Sequence, residues 1–347
     1  MLSLNPDRFD TVTIPLGTSW LLGACMEARG KQDLWMKQKP EVLAALREQA
    51  IIQSAESSNR IEGVTVAPSR LRPIVLGGVR PRDRSEEELA GYRRALNWIF
   101  RLKEVQSINP TVIQRLHGLA QGGQSGDAGQ WKQRDNEIVE VQPDGRRRIR
   151  FRPTPARDTP KMMVALCDAY RVVSAQERVP PLLSIATFVF DFLCVHPFRD
   201  GNGRVSRLLT TLRLREHGFV VVRYVSLERL VEERKDEYYA VLETCSRGWH
   251  EGANEIVPWW NFFLAVLRDG YRQFERQIES TRARPAKSEM VREAVMEQMG
   301  RFTLADLMLR LPGVSPQLIK KVLAELKRNG KVRLTGKGRG AEWDVTN

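Results

Sequence analysis

Apolar residues recur every three or four positions along most of the chain, which is the spacing of amphipathic helices. This pattern predicts helices at 40–59, 85–105, 110–119, 159–174, 181–195, 204–217, 227–245 and 258–282. The stretch 181–195 is apolar on every side, so we expect its helix to lie at the centre of a helical core. The segment 66–84 is polar and contains prolines and glycines, and it is predicted to be a connection between two helices. The fold class predicted from this pattern is mainly α.

Two short regions have the alternation and turn residues of β-hairpins. The first has strands at 137–141 and 148–152 around the turn residues 143–145. The second, with strands at 331–335 and 342–345, follows a linker at 282–287 and three further helices that begin at Ser288, Thr303 and Ser315. Three helices followed by a hairpin resemble a winged helix-turn-helix.

The composition limits the classes of protein that this chain can be. It has 347 residues, of which 42% are apolar and 28% are charged, as in soluble globular proteins. No apolar run approaches the roughly 20 residues that span a bilayer, and the first residues have no signal-peptide pattern. We therefore expect a cytoplasmic protein with no membrane partner.

The net charge and the positions of the cysteines indicate which partners and which kinds of site to expect. The net charge of +13 favours a polyanionic partner, either nucleic acid or a nucleoside triphosphate. The four cysteines, at 25, 167, 194 and 245, form no C-x-x-C pair, which argues against a disulfide framework and a cysteine zinc site. We expect them to be small buried side chains.

The residues with the clearest chemistry lie at 196–207, between the apolar helix and the next one. Gly201 and Gly203 allow a tight turn and close approach of the backbone to a ligand. The helix that follows begins with free N–H groups, and Arg204 and Arg207 add donors suited to phosphate oxygens. Asp200 is placed to hold a divalent cation, and His196 can accept a proton near neutral pH.

The sequence His-Pro-Phe-Arg-Asp-Gly-Asn-Gly-Arg-Val-Ser-Arg at 196–207 resembles, in full, the signature of the Fic family. The resemblance implies a helical fold in which His196 is the base on an incoming Ser, Thr or Tyr hydroxyl. It further implies the following roles: Mg²⁺ binding by Asp200, an anion hole from Gly201, Asn202 and Gly203, β- and γ-phosphate binding by Arg204 and Arg207, and core anchoring by Phe198.

A second motif lies upstream, at Ser58-Asn59-Arg60-Ile61-Glu62-Gly63. Ser58 and Glu62 are four residues apart and share a helix face, while Gly63 is also suited to end a helix. The motif resembles the inhibitory motif of the Fic family, in the class with an N-terminal inhibitory helix. The resemblance implies that Glu62 pairs with Arg207 and removes the partner of the γ-phosphate.

Other parts of the chain match the family less closely. The hairpin 137–152 stands where the family has a flap that docks the target by strand addition, but Gly129-Gln130-Trp131-Lys132 replaces the usual Gly-x-Tyr-Arg. Tyr238 resembles a residue of the adenine-side helix and is a candidate ATP contact, with core packing as the alternative. Ser246 stands where relatives often have Asn. The remaining histidines, His117, His217 and His250, are predicted to be structural or exposed.

The resemblance covers about residues 40–270. We expect an N-terminal region at 1–100 with the inhibitory helix at about 40–62, a Fic core at 101–282 and a winged helix at 288–347. The last segment has two candidate partners, DNA or a protein. A homodimer is a candidate assembly of the chain.

The leading hypothesis is an autoinhibited adenylyltransferase that moves AMP from ATP, with Mg²⁺, to a protein hydroxyl on a target or on itself. Three alternatives stay open. The enzyme could also remove AMP, with Glu62 positioning a water, or it could use another donor (UMP, phosphocholine or phosphate). In the third alternative the chain is a DNA-binding regulator whose Fic core senses nucleotide, although an intact His196 argues against a sensor.

Overall fold

Helices make up most of the chain, as the apolar spacing predicts. The structure is a computed structural model that describes residues 2–38, 40–104, 106–122, 126–141, 146–282, 287–298, 300–336 and 341–346. The chain divides into two compact units, Met1–Arg276 (unit 1) and Gln277–Asn347 (unit 2), each with most of its contacts inside itself. The boundary between the units falls within the helix Val257–Arg282. The mainly α fold class is confirmed.

Unit 1 contains twelve α-helices and one hairpin among the described residues. The helices are α1 Pro6–Phe9, α2 Leu16–Met36, α3 Pro40–Ile61, α4 Pro68–Leu76, α5 Arg84–Arg101, α6 Pro110–Gln121, α7 Thr159–Gln176, α8 Pro181–Val195, α9 Asn202–Glu216, α10 Leu227–Glu232, α11 Lys235–Ser246 and α12 Val257–Arg282. The strands are β1 Ile138–Val141 and β2 Arg147–Phe151. None of the helices in the described ranges has both the length and the apolar character of a bilayer span.

Helix α8 is the centre of unit 1. Every residue from Leu182 to Val195 is buried, and α7 and α9 pack against the helix. The indole N–H of Trp259 on α12 donates to Ala186 O at 2.7 Å, and that of Trp260 donates to Thr187 Oγ1 at 2.8 Å. The apolar run at 181–195 therefore forms the central helix that the sequence predicts. The four cysteines are free thiols and are buried, also as predicted.

The first hairpin forms where it is predicted, with β1 and β2 antiparallel and Val139 opposite Ile149. Its turn residues 143–145 lie outside the described residues. Arginines on β2 connect the hairpin to α11: Arg150 Nη2 donates to Tyr239 O at 2.6 Å, and Arg148 Nη2 lies 2.7 Å from a carboxylate oxygen of Glu243. The hairpin is thus held next to α11.

The structure corrects the prediction of a connection at 66–84. Residues Pro68–Leu76 form helix α4, which begins with a proline at its first position and ends at Gly77 in the left-handed conformation, with φ 81°. Proline at the first position suits a helix because its missing N–H has no intrahelical partner there. Ile74 and Val75 are buried, and their packing stabilises a helix that is too short to form in isolation.

Unit 2 contains α13 Lys287–Met296, β3 Phe302–Thr303, α14 Leu304–Arg310, α15 Pro316–Arg328, β4 Val332–Thr335 and β5 Glu342–Val345. The strands form one sheet in the order β3-β5-β4. The three helices and the hairpin lie where the sequence predicts them, and β3 is an additional strand. Residues 283–286 of the predicted linker lie outside the described residues, and the name winged helix stays a prediction.

A buried carboxylate attaches the start of the chain to the central helix. Asp191 on α8 is fully buried. It accepts hydrogen bonds from the backbone N–H groups of Ser3 at 3.0 Å and Leu4 at 2.8 Å, and from Trp249 Nε1 at 2.7 Å. These bonds join three distant parts of the sequence.

We expect Asp191→Ala to lower the free energy of unfolding by about 2–4 kcal/mol, because three buried donors lose their acceptor. Urea unfolding followed by tryptophan fluorescence measures this change. The control is Asp168→Ala, which removes an exposed carboxylate paired with Arg171 and is expected to cost less than about 1 kcal/mol. A loss no larger than that of the control would contradict the structural role of Asp191.

Candidate active site

The loop between α8 and α9 brings together the residues of the 196–207 motif. His196 ends α8 in the left-handed conformation (φ 50°), and Gly201 (φ 78°) precedes the first residue of α9. Asn202 closes the loop, since its Oδ1 accepts from Phe198 N at 2.9 Å and its Nδ2 donates to Phe198 O at 2.8 Å. The side chain of Asn202 therefore fixes the shape of the loop, a role that the sequence did not reveal.

The imidazole of His196 is oriented for accepting a proton. Its Nδ1 lies 3.2 Å from Leu193 O. Because a carbonyl oxygen only accepts, Nδ1 carries the proton and Nε2 presents its lone pair. Burial lowers the pKa of His196 to about 4, so the ring is neutral and able to act as a base at ordinary pH.

His196 lines a cavity of about 390 Å³ between the loop, the hairpin and α11. The walls include Ile138 and Val139 of β1, Arg150 and Phe151 of β2, and Tyr238, Tyr239, Leu242, Glu243 and Ser246 of α11. Tyr238 is almost wholly buried and its ring lies near those of Trp259 and Phe262. Tyr238 thus packs in the core and also lines the cavity. Its position agrees with both interpretations of this residue, core packing and a contact with ATP.

A second cavity of about 180 Å³ lies on the other side of Glu62. It is lined by Glu62, Val64, Arg84, Ser85, Glu88, Asp200 and Arg204. Glu62 is therefore a wall of both cavities. The first cavity holds the aromatic side chains and the base, and the second is lined by two charged groups of the motif, Asp200 and Arg204.

The structure brings Glu62 and Arg207 together. Glu62 Oε1 accepts from Arg207 Nη2 at 2.7 Å, and Arg207 Nε donates to Ser58 Oγ at 2.9 Å. The same Nη2 also donates to Ser58 O at 2.9 Å. The two motifs, 145 residues apart, thus form one network, in which the Arg207 side chain is 7% exposed and the Glu62 side chain is 30% exposed. Gly63 follows Glu62 with φ 80°, as expected of a residue that ends a helix.

Glu62 also lies against the glycine turn at the start of α9. A Cβ atom at position 203 would collide with Glu62 Oε1 unless that side chain shifted, so glycine allows this close approach. The carboxylate occupies the place beside a helix N-terminus where anions bind most favourably. In this structure the anion at the turn is a side chain of the chain itself.

Arg204 is placed differently from Arg207. Its guanidinium is 1% exposed. Nη1 lies 2.8 Å from Glu88 Oε2, and Nη2 donates to Gln121 Oε1 at 3.0 Å. Glu88 lies on α5 and Gln121 lies on α6. Neither belongs to a sequence motif with Arg204, so the sequence did not identify them as its partners. The predicted contact of Arg204 with phosphate stays a prediction.

Asp200 is the candidate metal ligand. Burial raises its pKa, but the charges of Arg204 and Arg84 and the N–H of Gly201 outweigh that effect, so the pKa lies below its usual value. The carboxylate is therefore ionised. The described residues contain no group of three metal-ligating side chains. One carboxylate fits Mg²⁺ when phosphate oxygens and waters complete the octahedron.

Two residues outside the motif hold the loop in place. His117 on α6 accepts from Gly129 N at 2.9 Å through Nδ1, so its Nε2–H donates to Asp200 O at 3.1 Å. Its ring stacks on Phe198 with centroids 3.8 Å apart. Lys132, in the segment that departs from the family pattern, donates through its backbone N–H to Pro197 O at 2.9 Å. His117 is structural, as predicted, but its location beside the motif was not foreseen.

Comparisons with known proteins find similarity to one protein family. A model described as the Fic/DOC family matches residues 100–214. The chain is 27% identical over 254 residues to a protein named protein adenylyltransferase Fic, from Nematostella vectensis, covering 71% of this chain and 53% of that protein. It is 30% identical over 92 residues to a Fido domain-containing protein of Dictyostelium discoideum, covering 26% of this chain and 60% of that one. The chain thus spans little more than half the length of these relatives.

Solved structures share the fold at lower identity. A Fic family protein from Desulfovibrio desulfuricans G20 aligns with a TM-score of 0.63 and 22% identity, covering 96% of this chain and 97% of that one. A Fic domain containing signaling protein from Bacteroides thetaiotaomicron aligns with a TM-score of 0.60 and 21% identity, covering 74% and 97%. At these identities the likeness extends to the fold alone.

We expect the free energy of unfolding to fall as the pH is lowered from 6.5 towards 4. Burial lowers the pKa of His117 and of His196 to about 4, so the unfolded chain binds protons that the folded chain does not. Their stabilising contribution is complete above pH 6.5 and is lost below it, by up to about 1.4 kcal/mol per pH unit for each histidine. His117→Asn removes one of the two groups, and urea unfolding at pH 4.5–7.5 is expected to show a shallower slope. Equal slopes would contradict this assignment.

Proposed function

We propose that this chain, which carries a Fic domain at residues 100–214, transfers AMP from ATP to a Ser, Thr or Tyr hydroxyl of a protein and is inhibited by Glu62. The observation that supports the proposal most directly is the position of Glu62. Its carboxylate bonds Arg207 at 2.7 Å and lies against Gly203, between the cavity of His196 and the cavity of Asp200. A nucleoside triphosphate that spans both cavities would need that position for its phosphates.

The reaction follows from the groups around the first cavity. The hydroxyl of the target gives its proton to Nε2 of His196 as its oxygen forms a bond to the α-phosphorus. The bond from that phosphorus to the oxygen bridging to the β-phosphate breaks, and pyrophosphate leaves. No covalent enzyme intermediate is required, because positioning and charge neutralisation account for most catalysis of this type.

The phosphates are assigned to the start of α9. The Gly201–Gly203 turn and the helix N-terminus supply N–H donors, and Arg207 supplies a charged fork for the γ-phosphate once Glu62 has left. Arg204 adds positive charge to the second cavity, which it lines. Mg²⁺ held by Asp200 would neutralise phosphate charge and orient the triphosphate.

The remaining assignments concern the nucleoside and the target. The nucleoside is placed in the first cavity, against Tyr238 and the other residues of α11. The target segment, from another protein or from this chain, is placed along the β1–β2 hairpin, where strand addition would hold its hydroxyl near His196. Two variants of this function keep the same site: removal of AMP with a water positioned by Glu62, and transfer from another donor such as UMP, phosphocholine or phosphate.

We expect weak or no labelling of protein by [α-³²P]ATP with the wild type, strong labelling with Glu62→Gly and none with Glu62→Gly/His196→Ala. Removing Glu62 frees Arg207 for the γ-phosphate, while removing His196 leaves the hydroxyl without a base. Parallel reactions with [γ-³²P]ATP are expected to leave the protein unlabelled, which separates AMP transfer from phosphate transfer.

The matched control for this experiment is Glu62→Gln, which keeps the shape of the side chain but removes its charge. We expect its labelling to lie between those of the wild type and Glu62→Gly, because an amide binds an arginine less strongly than a carboxylate does. If Glu62→Gly labels no better than the wild type on any protein tested, the inhibitory role of Glu62 is wrong.

A second candidate function is DNA binding. It is supported by the difference in unit 2 between basic side chains that pair with a carboxylate and those that do not. In its described part, Arg292, Arg301, Arg310 and Arg333 are each paired with a carboxylate. Lys320, Lys321, Lys327 and Arg328 of α15 are exposed and form no such pair with any described residue. A 13-residue helix is about 20 Å long, and its width suits the major groove of DNA. We infer that unit 2 binds double-stranded DNA through α15.

We expect the 347-residue chain to bind a duplex of about 25 base pairs with an affinity that falls steeply as the salt concentration rises. Lys320→Ala/Lys321→Ala is expected to reduce this dependence on salt. Each lost phosphate contact lowers the slope of log K against log[NaCl] by about 0.9. Fluorescence anisotropy from 50 to 200 mM NaCl measures the slope. Lys103→Ala/Lys161→Ala, which removes the same charge from exposed positions of unit 1, is the control. Equal slopes for the two double variants, or binding of polyglutamate but not of DNA, would contradict the inference.

A further inference from the structure

Four charged side chains form a closed ring beside the second cavity. Arg84 Nε lies 2.8 Å from Glu88 Oε1, and Glu88 Oε2 lies 2.8 Å from Arg204 Nη1. Arg204 Nη2 lies 3.6 Å from Asp200 Oδ2, and the same oxygen lies 2.7 Å from Arg84 Nη2. Positive and negative groups therefore alternate around the ring.

The members of the ring differ in exposure. The side chains of Glu88 and Arg204 are 3% and 1% exposed, whereas those of Arg84 and Asp200 are 58% and 46% exposed. A buried ion pair is costly to break because it leaves an uncompensated charge, while an exposed pair exchanges readily with water and other ions. The contact between Arg84 and Asp200 is thus the part of the ring that can open.

That contact uses the carboxylate oxygen that a metal ion needs. Asp200 Oδ1 accepts from Gly201 N at 2.6 Å, which leaves Oδ2 as the outward oxygen, and Arg84 holds it. Mg²⁺ binds carboxylate oxygen at about 2.1 Å, and a guanidinium on the same oxygen would be repelled by it. A cation that binds Asp200 Oδ2 therefore competes with Arg84 for this oxygen.

We propose that Arg84 is a nucleotide-binding residue: it bonds Asp200 while the site is empty and moves to the terminal phosphate when a divalent cation takes its place. The proposal rests on the proposed function, because it requires a triphosphate with its metal in the second cavity. It assigns to α5 a phosphate ligand that lies 112 residues before the 196–207 motif.

The position of Arg84 suits both states. Its side chain lines the second cavity together with Glu62, Asp200 and Arg204, so a phosphate there would be within reach. The bond from Nε to Glu88 holds the base of the guanidinium, and Nη2 can change partner by a small rotation. The planar fork of arginine binds phosphate in two-point geometry. Arg84 would then help to distinguish a triphosphate from AMP, which does not extend into this cavity.

The test compares Glu62→Gly with the same protein carrying Arg84→Ala, Arg84→Lys or Arg82→Ala. Arg82 is an exposed arginine two residues before Arg84 that does not line the cavity, and it serves as the control. Electron paramagnetic resonance measures Mn²⁺ binding to the nucleotide-free protein. Isothermal titration calorimetry with Mg²⁺ present measures the affinities for ATP and for AMP.

We expect Arg84→Ala to bind Mn²⁺ several-fold more tightly without nucleotide, to bind ATP about tenfold more weakly and to leave AMP binding unchanged. Arg84→Lys keeps the charge but lacks the fork, so its ATP affinity is expected to be intermediate. Arg82→Ala is expected to match the parent in all three measurements.

Several results would overturn the proposal. Equal ATP and Mn²⁺ affinities for the parent and Arg84→Ala would exclude the role of Arg84 while leaving the proposed function intact. An equal loss of ATP and AMP affinity would show general disruption of the site rather than a phosphate contact. If the Glu62→Gly parent binds no ATP at all, the proposed function itself fails, and the phosphate contact of Arg84 fails with it.

Discussion

The buried charge of Arg207 must have an anionic partner, and the architecture of the site depends on how that requirement is met. An unpaired guanidinium at this depth would cost several kcal/mol. Helix α3 runs far enough to place Glu62 at the first turn of α9, where its carboxylate bonds Arg207 at 2.7 Å and lies against Gly203. The helix N-terminus favours an anion at the same point. One side chain therefore pairs with a buried cation beside a helix end, and in the proposed function it occupies the place of a phosphate.

The loop between α8 and α9 depends on side chains whose contacts are structural. Asn202 uses both polar atoms of its side chain on Phe198, and His117 holds Asp200 O while it stacks on Phe198. Lys132 holds Pro197 O. These bonds hold the loop backbone at Pro197, Phe198 and Asp200, so the loop keeps one shape. His196 and Asp200 line different cavities at fixed positions. This kind of rigidity keeps catalytic groups in a productive arrangement before substrate binds.

The sequence predicts what local pattern and local motif can encode. The apolar run at 181–195 gives the central helix, and the spacing of Ser58 and Glu62 places both on the helix face that meets Arg207. Helix α2 was not predicted, because its apolar residues do not follow one stripe: Trp20 is 78% exposed while Trp35 is buried. Glu88 and His117 were not recognised as parts of the site, because their partners on the 196–207 segment are 116 and 83 residues away. Only the packing of α5 and α6 against α9 brings them together.

Three charged groups of the site are each paired with an opposite charge within the chain before any ligand arrives. Arg207 has Glu62, Arg204 has Glu88 and Gln121, and Asp200 has Arg84. A nucleotide therefore gains only the difference between its own contacts and the internal contacts that it displaces, so low affinity in the resting protein would not indicate a poor fit. The two exchanges differ in difficulty: in the Glu62–Arg207 pair the arginine is buried and the glutamate is partly exposed, whereas both members of the Arg84–Asp200 contact are exposed. In the proposed function, the Glu62–Arg207 pair is therefore the harder of the two contacts to exchange, and the contact between Arg84 and Asp200 is the easier one.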